Sequence, residues 1–396
     1  MRVRVIGCAA FQYGLRNMVD ISGSCDARFA RVREAFLRNF TDRGDVGASF
    51  AMTIEGEFVV DLWGGHRDAV GTEPWLPDTI VNVYSSTKTM TALCALLLAD
   101  RGELDMSAPV AKYWPEFAAN GKERIEVRHL LSHSAGLSGL DDIDSPHIWY
   151  DWDAVAERLA AQAPWWEPGT ASGYHAITQG NLVGEVVRRI TGRSLGTFLR
   201  EELAQPLGAD FHVGVDPAHF HRIAELIPPP VEPSDMLEME PGSIMERTIG
   251  RGVVDVADTK TAAWRQAEMP AANGHGNARS IVRIQTLLAN HGTAFGQTLM
   301  SPAGCMAVME EQTNGVDLVL GAPARFGLGY GLPNELMPAT PNENVCFWGG
   351  YGGSTVVCDL DVRIAFSYVM NRMEAGVLGD ERGFSLWRAV YESLGD

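Results

Sequence analysis

Apolar positions recur along the chain at intervals that assign elements before any chemistry is considered. Over residues 26–40, Phe29, Val32, Phe36 and Phe40 fall three and four apart with arginines on the other side, which predicts an amphipathic helix. The β-rich run over 47–54, the turn Glu55-Gly56 and the run over 58–63 predict a hairpin that closes at Gly64-Gly65. The stretch 91–99, Thr-Ala-Leu-Cys-Ala-Leu-Leu-Leu-Ala, is apolar on every side. It therefore reads as a buried helix, with Gly102 as its stop.

From about Asp105 the pattern becomes helical, over 110–117, 127–131, 154–161, 179–191 and 194–203. Residues 141–153 between them are acidic and aromatic, with Trp149, Tyr150 and Trp152. They read as a binding loop or as an anchored connection. Residues 226–245 are rich in proline and methionine and fit no regular element, whether as a flap or a connector. The run 273–277 reads as a loop. A helix over 280–290 carries Ile281, Ile284, Leu287 and Leu288 on one face. Residues 326–332 open a strand region, and 344–347, 354–359 and 363–371 read as consecutive antiparallel strands. An amphipathic helix over 381–394 ends the chain.

Helix and hairpin, then helices, then strands and a helix make an α+β protein. We expect a central antiparallel sheet built from both ends of the chain, flanked by helices, with a mostly helical insertion. The expected division is an N-terminal extension over 1–17, a sheet domain from 18–105 and 271–396, and a helical domain over 106–270.

Composition narrows the function classes. With 46% hydrophobic and 21% charged residues the chain is of ordinary globular type, and a net charge of −18 argues against nucleic acid or an anionic membrane as partner. The six cysteines are scattered without a Cys-x-x-Cys, so buried thiols in the cytoplasm are expected rather than a disulfide framework. The segment before Cys8 superficially resembles a lipoprotein cleavage box. Too few apolar residues precede that cysteine to make a signal peptide. No apolar run approaches the ~20 residues of a membrane span.

The chemistry starts at Ser85 and Lys88. Lysine occurs only at 88, 112, 122 and 260, and this is the one Ser-x-x-Lys in the chain. It opens the most apolar helix, with both residues on one face. Burial and the positive end of the helix dipole both favour a neutral amine, which is a base for the Ser85 hydroxyl. Free N–H groups at the helix start offer an oxyanion site. Tyr174 lies on a turn-rich approach just before a helix, placed to project a phenol; His175 and Glu167 are alternative bases. Trp348-Gly349-Gly350-Tyr351-Gly352-Gly353 ends a strand where glycine permits close approach to the backbone. Gly47-Ala-Ser49-Phe-Ala51 imitates a Gly-x-Ser-x-Gly elbow. It lies inside a strand rather than at a strand-to-helix turn, so Ser49 is expected to be structural. No His/Asp/Glu cluster has metal-ligand spacing, His219 and His221 read as surface residues, and neither metal nor cofactor is expected.

The order Ser85-x-x-Lys88, Tyr174 before a helix, then Trp348-Gly-Gly resembles the serine hydrolases of the class C β-lactamase and penicillin-binding-protein superfamily. The resemblance is strongest to its esterase branch, the family VIII carboxylesterases. Further resemblances are His129-Leu-Leu-Ser-His-Ser-Ala-Gly-Leu137, Trp166-Glu-Pro-Gly169, Asn277-Ala-Arg-Ser280 and Phe326-Gly-Leu-Gly-Tyr330. The resemblance implies a β-lactamase/transpeptidase-like fold. It makes Ser85 the acylated nucleophile, Lys88 and Tyr174 the proton-transfer pair, and the N–H groups of Ser85 and Tyr351 the oxyanion hole.

Two departures bear on substrate. The lactamase Tyr-x-Asn is here Tyr174-His175-Ala176, and Lys-Thr-Gly is here Trp348-Gly349-Gly350. The amide and the cation that meet a lactam are thus absent. The expectation is hydrolysis of short-chain, small-molecule carboxylic esters, with acyl transfer or weak β-lactam opening as the alternative. Trp348, Gly349, Gly350, Trp149, Trp165 and Trp166 are candidates to bind the substrate, with Tyr351 beside the tryptophans as a candidate lining of an apolar pocket.

Overall fold

The structure is a computed structural model that describes residues 19–141, 143, 145–231, 239–250 and 255–395. Ile21–Cys25 (β1), Gly47–Ile54 (β2), Glu57–Gly65 (β3), Val345–Gly349 (β4), Thr355–Asp359 (β5) and Ile364–Met370 (β6) form one antiparallel sheet in the order β1-β3-β2-β6-β5-β4. The two ends of the sequence therefore meet where β2 pairs with β6. Every residue of β4, β5 and β6 is buried. This is why these strands read as unbroken apolar runs: a strand covered on both faces has no solvent side to mark by alternation.

Five helices matter for the site: Ala30–Thr41 (α1), Lys88–Asp100 (α2), Thr178–Thr191 (α3), Ala278–Ala289 (α4) and Glu381–Leu394 (α5). Helix α4 covers one face of the sheet, where Thr286 Oγ1 meets Thr53 Oγ1 at 2.7 Å. Helices α1 and α5 pack together on the other. There the Trp387 ring lies 5.6 Å from Phe347 and 6.1 Å from Phe366. Helix α2 is buried from Lys88 to Leu98 and packs against α3 of the helical part.

Several expected elements take another form. The helix expected over 110–117 is two short 3₁₀ turns, Val110–Lys112 and Pro115–Ala118, because Pro115 interrupts it. The helix over 194–203 begins as Leu195–Leu199 and continues as a π-type turn, Arg200–Ala204. In the expected loop 273–277, His275–Gly276 pairs with Val81–Asn82 ahead of the Ser85 turn. The strand expected to open at Phe326 ends there instead: Thr313–Val316 and Pro323–Phe326 form a hairpin. The edge strand β1, with three exposed residues in five, carries no apolar signature and was not expected.

Residues 232–238 of the proline- and methionine-rich stretch and the whole expected extension 1–17, Cys8 included, lie outside the described residues. The end of that stretch is regular after all: Ser243 caps a short helix, Ile244–Ile249, that takes in its last two residues. Among the described residues no helix is long and apolar enough to cross a membrane.

Candidate active site

Ser85 sits in a 3₁₀ turn, Tyr84–Thr87, that leads directly into α2. Its predecessor Tyr84 has φ +43°, a left-handed conformation that costs a bulky residue strain. The turn is braced on both sides. Thr87 Oγ1 donates to Tyr84 O and accepts from Gly274 N at 2.9 Å. Ser354 Oγ donates to Val83 O at 3.0 Å and lies 2.8 Å from Ser86 Oγ. These contacts hold the backbone that presents the Ser85 hydroxyl.

Lys88 is fully buried, with Nζ 3.1 Å from Ser85 Oγ, 2.7 Å from Ala176 O and 3.0 Å from Ala271 O. Burial holds its ammonium well below the usual lysine range. A neutral amine has two N–H donors and one lone pair. The two carbonyls take the donors, which leaves the lone pair for the Ser85 hydroxyl proton. Tyr174 Oη is 2.5 Å from Ser85 Oγ, and its ring lies 4.8 Å from Lys88 Nζ. Burial pushes the Tyr174 phenol up, which favours the protonated phenol as the resting group.

Tyr174 owes its place to groups far away in sequence. Its N–H donates at 3.0 Å to Asp317 Oδ1, which also accepts from the N–H groups of Val319 and Leu320. Buried Asp317 thus ties the Tyr174 segment to the 313–326 hairpin. The Tyr174 ring packs with Trp348 at 6.1 Å and with His133 at 5.1 Å, and Ile244 and Ile249 pack on the same cluster.

His175 is no base. Its Nδ1 donates to Gly173 O at 2.6 Å, its Nε2 accepts from Leu137 N at 3.2 Å, and burial pushes it down to about 3. It fixes the loop as a neutral ring. Glu167 is exposed, and no hydrogen bond among the described residues ties its carboxylate to the three groups. Ser49 lies in β2, where its Oγ accepts from Ala278 N at 3.1 Å.

The end of β4 meets the Ser85 turn at Gly350. A Cβ there would lie 2.2 Å from Val83 O and 3.3 Å from Ser86 N, so only glycine lets the strand come this close. Tyr351, next along, has its ring 5.2 Å from that of Tyr84. Gly349 is roofed by Leu378, whose carbonyl carbon would be 2.3 Å from a Cβ.

The tryptophans are a correction. Trp149 is 3% exposed and belongs to the main core. Trp165 carries the Arg247 guanidinium 3.9 Å over its ring and donates to Asp141, and Trp166 covers Gly173 and donates to Ala171 O at 3.0 Å. Trp152 donates to Glu185 at 2.8 Å. Among the described residues the acidic, aromatic stretch is anchored structure, Trp149 is core, and Trp166 supports the Tyr174 loop through Gly173. Trp348, 1% exposed, borders Tyr174 from beneath.

Sequence reasoning missed Asp317, Ala271 and His133. Asp317 shows only as an acid set in the apolar run 316–320. Ala271 acts through a backbone oxygen, which side-chain identity does not disclose. Among the described residues no group of three His, Cys, Asp or Glu is placed to hold a metal.

A six-stranded antiparallel sheet flanked by helices, with a Ser-x-x-Lys turn running into a buried helix against the end strand, defines the β-lactamase/transpeptidase-like fold. The chain belongs to the Beta-lactamase family, whose model matches residues 34–390. It is 36% identical over 378 residues to the esterase/beta-lactamase LipL of Mycobacterium tuberculosis, an alignment covering 92% of this chain and 86% of that protein. It is 27% identical to the esterase EstB of Burkholderia gladioli, covering 88% and 92%. Among solved structures, a family VIII carboxylesterase is similar at 41% identity and TM-score 0.89, covering 94% of this chain and all of that one. A penicillin-binding-protein homologue from Caulobacter crescentus is similar at 40% identity and TM-score 0.89, with the same coverage.

Proposed function

We propose that the chain is a serine carboxylesterase that hydrolyses short-chain carboxylic esters through an acyl-enzyme on Ser85. One observation carries the proposal: Ser85 Oγ lies between Lys88 Nζ at 3.1 Å and Tyr174 Oη at 2.5 Å, with the lysine buried. Neutral Lys88 takes the hydroxyl proton as Oγ bonds to the ester carbonyl carbon. The oxyanion faces the N–H groups of Ser85 and Tyr351. The Tyr174 phenol gives its proton to the departing alkoxide, and the proton held on Lys88 restores the phenol. Water then attacks the acyl carbon by the same route in reverse and releases the acid.

Relatives named as esterases and the carboxylesterase structure support this reading. A neutral ester suits the site because an indole at Trp348 and a methyl at Ala176 stand where the lactamase pattern has a cation and an amide. Trp348, Gly349 and Gly350 are the residues we place beside the bound ester. The five free thiols among the described residues support a cytoplasmic location.

The test compares hydrolysis of p-nitrophenyl acetate, butyrate and a cephalosporin by the wild type and by Ser85→Ala. The variant is expected to keep the wild-type circular dichroism and melting curve. It is expected to lose ester turnover by more than about a thousandfold. Full activity in a folded Ser85→Ala protein would refute the proposal. Cephalosporin turnover exceeding ester turnover would move the assignment to β-lactamase.

A further inference from the structure

A buried guanidinium lies directly behind the loop that carries Tyr351. Arg382, in the first turn of α5, is 2% exposed. Its Nη2 donates to Gly352 O at 2.7 Å and to Asp380 Oδ2 at 2.6 Å. Its Nη1 donates to Asp45 Oδ1 at 2.8 Å and to Arg372 O at 2.7 Å, and its Nε to Asp380 Oδ1 at 3.1 Å. Asp45 is itself buried, and its other oxygen accepts from Tyr368 Oη at 2.5 Å. Every arm of the fork is used, and the group keeps its charge when buried because guanidinium does not deprotonate in proteins.

What the fork grips is the carbonyl one residue past Tyr351. Gly352 O also accepts from Glu374 N at 3.1 Å, and Gly352 N donates to Gly376 O at 3.0 Å, so both peptide groups flanking Gly352 are held, including the one that joins it to Tyr351. Gly353 has φ +123°, and a Cβ on it would lie 2.3 Å from Asp380 Oδ2 and 2.6 Å from Arg382 Nη2. Gly353 therefore lets the loop lie on the charged cluster, while Gly352, with φ +96°, makes room for Met373 on its other side. A surface arginine would give the loop nothing comparable, because an exposed ion pair holds its partners weakly.

We propose that Arg382, braced by Asp45 and Asp380, is a positioning residue that fixes the Gly352 carbonyl and through it aims the Tyr351 N–H at the oxyanion. The inference rests on the reading of Ser85 as nucleophile and of Tyr351 N–H as oxyanion donor. It adds that C-terminal helix α5 controls the second of these. An oxyanion donor acts only at hydrogen-bond distance from where the charge develops, and losing one outright costs about 10²–10³ in kcat. A donor left in place but poorly aimed costs part of that.

Lysine at 382 has one nitrogen and cannot hold Gly352 O, Arg372 O and both carboxylates together. Arg382→Lys is therefore expected to lower kcat on p-nitrophenyl butyrate by about tenfold or more while KM stays within twofold. Asp380→Asn keeps an N-cap for α5 and removes one brace, so it covers the case in which Arg382→Lys does not fold. It is expected to lower kcat by about threefold to tenfold, again at unchanged KM. Circular dichroism gives the folded fraction, and a serine-directed phosphonate reports the nucleophile separately. Wild type labelled on Ser85, with both folded variants slower in kcat alone, supports the positioning role. Folded variants with wild-type kcat, or losses that follow KM or the folded fraction, overturn it. A wild type that the phosphonate does not label on Ser85 overturns the reading beneath it instead.

Discussion

Lys88 is suited to be a base by what surrounds its nitrogen. Two backbone carbonyls at 2.7 and 3.0 Å take its hydrogens, the Ser85 oxygen stands at 3.1 Å, and among the described residues no carboxylate offsets the cost of burial. His133 and His175, also buried, are pushed down as well, so the charge nearest the hydroxyl is kept low. The pH dependence follows with a definite sign. The amine must be neutral to accept a proton, and burial lowers its pKa well below 10.5. The rate thus rises with pH through an acid limb and shows no further rise near that value. Loss of the Tyr174 phenol proton is displaced the other way, above the ordinary value of 10.0. A kcat/KM profile up to pH 10 should be level over its upper part, with any acid limb well below 10.5. A midpoint near 10.5 would mean that Lys88 holds its proton and is not the base. This residue-level logic was largely legible: a lone lysine three positions after a serine, at the door of an apolar helix, has few bland explanations. The carbonyls that tune it were not legible, because backbone oxygens carry no sequence signature.

Those carbonyls are delivered by two elements that approach unusually closely. Ala176 O comes from the turn before α3, and Ala271 O from the segment before the β-bridge at His275. They converge because Gly180, in the first turn of α3, leaves room: a Cβ at that position would lie 2.4 Å from Ala271 N. Thr91 Oγ1 on α2 donates to Pro270 O at 2.5 Å and holds the same segment from the other side. Gly180→Val would push residues 270–271 off α3 and pull Ala271 O away from Lys88. We expect kcat to fall by about tenfold or more, in the manner of a small misplacement at a reacting group, with the sheet intact by circular dichroism. Wild-type kcat in a folded variant would show that the Ala271 contact does not matter. At this scale the sequence reads unevenly. Helix α2 and the β2–β3 hairpin follow from periodicity and turn residues. The 3₁₀ turns around Pro115 and the π-type turn at Arg200–Ala204 do not, because helical spacing of apolar residues does not report which hydrogen bonds close.

Across the whole molecule, the site draws on four distant stretches: the Ser85 turn, the Tyr174 loop, the 270–276 segment and the end of β4. Antiparallel pairing of β2 with β6 joins the first quarter of the chain to its last tenth, and α5 returns to grip the loop after β4. The α+β layering was legible in the order of helical and strand-like patterns. The partners that hold the site together were not. Asp317 and Arg382 act over 143 and 30 positions, on backbone groups rather than on recognisable side chains. Of the tryptophans, Trp149 belongs to the core, while Trp166 packs on Gly173 and Trp165 carries the Arg247 guanidinium; ring identity alone does not say which of these a tryptophan will do. In the proposed function all of this arrangement serves one covalent event. The measurement that tests it most directly is intact-protein mass spectrometry with peptide mapping, after brief mixing with a slowly deacylating ester. We predict a mass increase of one acyl group per chain, confined to the peptide containing Ser85 and absent from Ser85→Ala. Steady turnover of the ester with no such adduct, or an acyl group mapped to another residue, would contradict it.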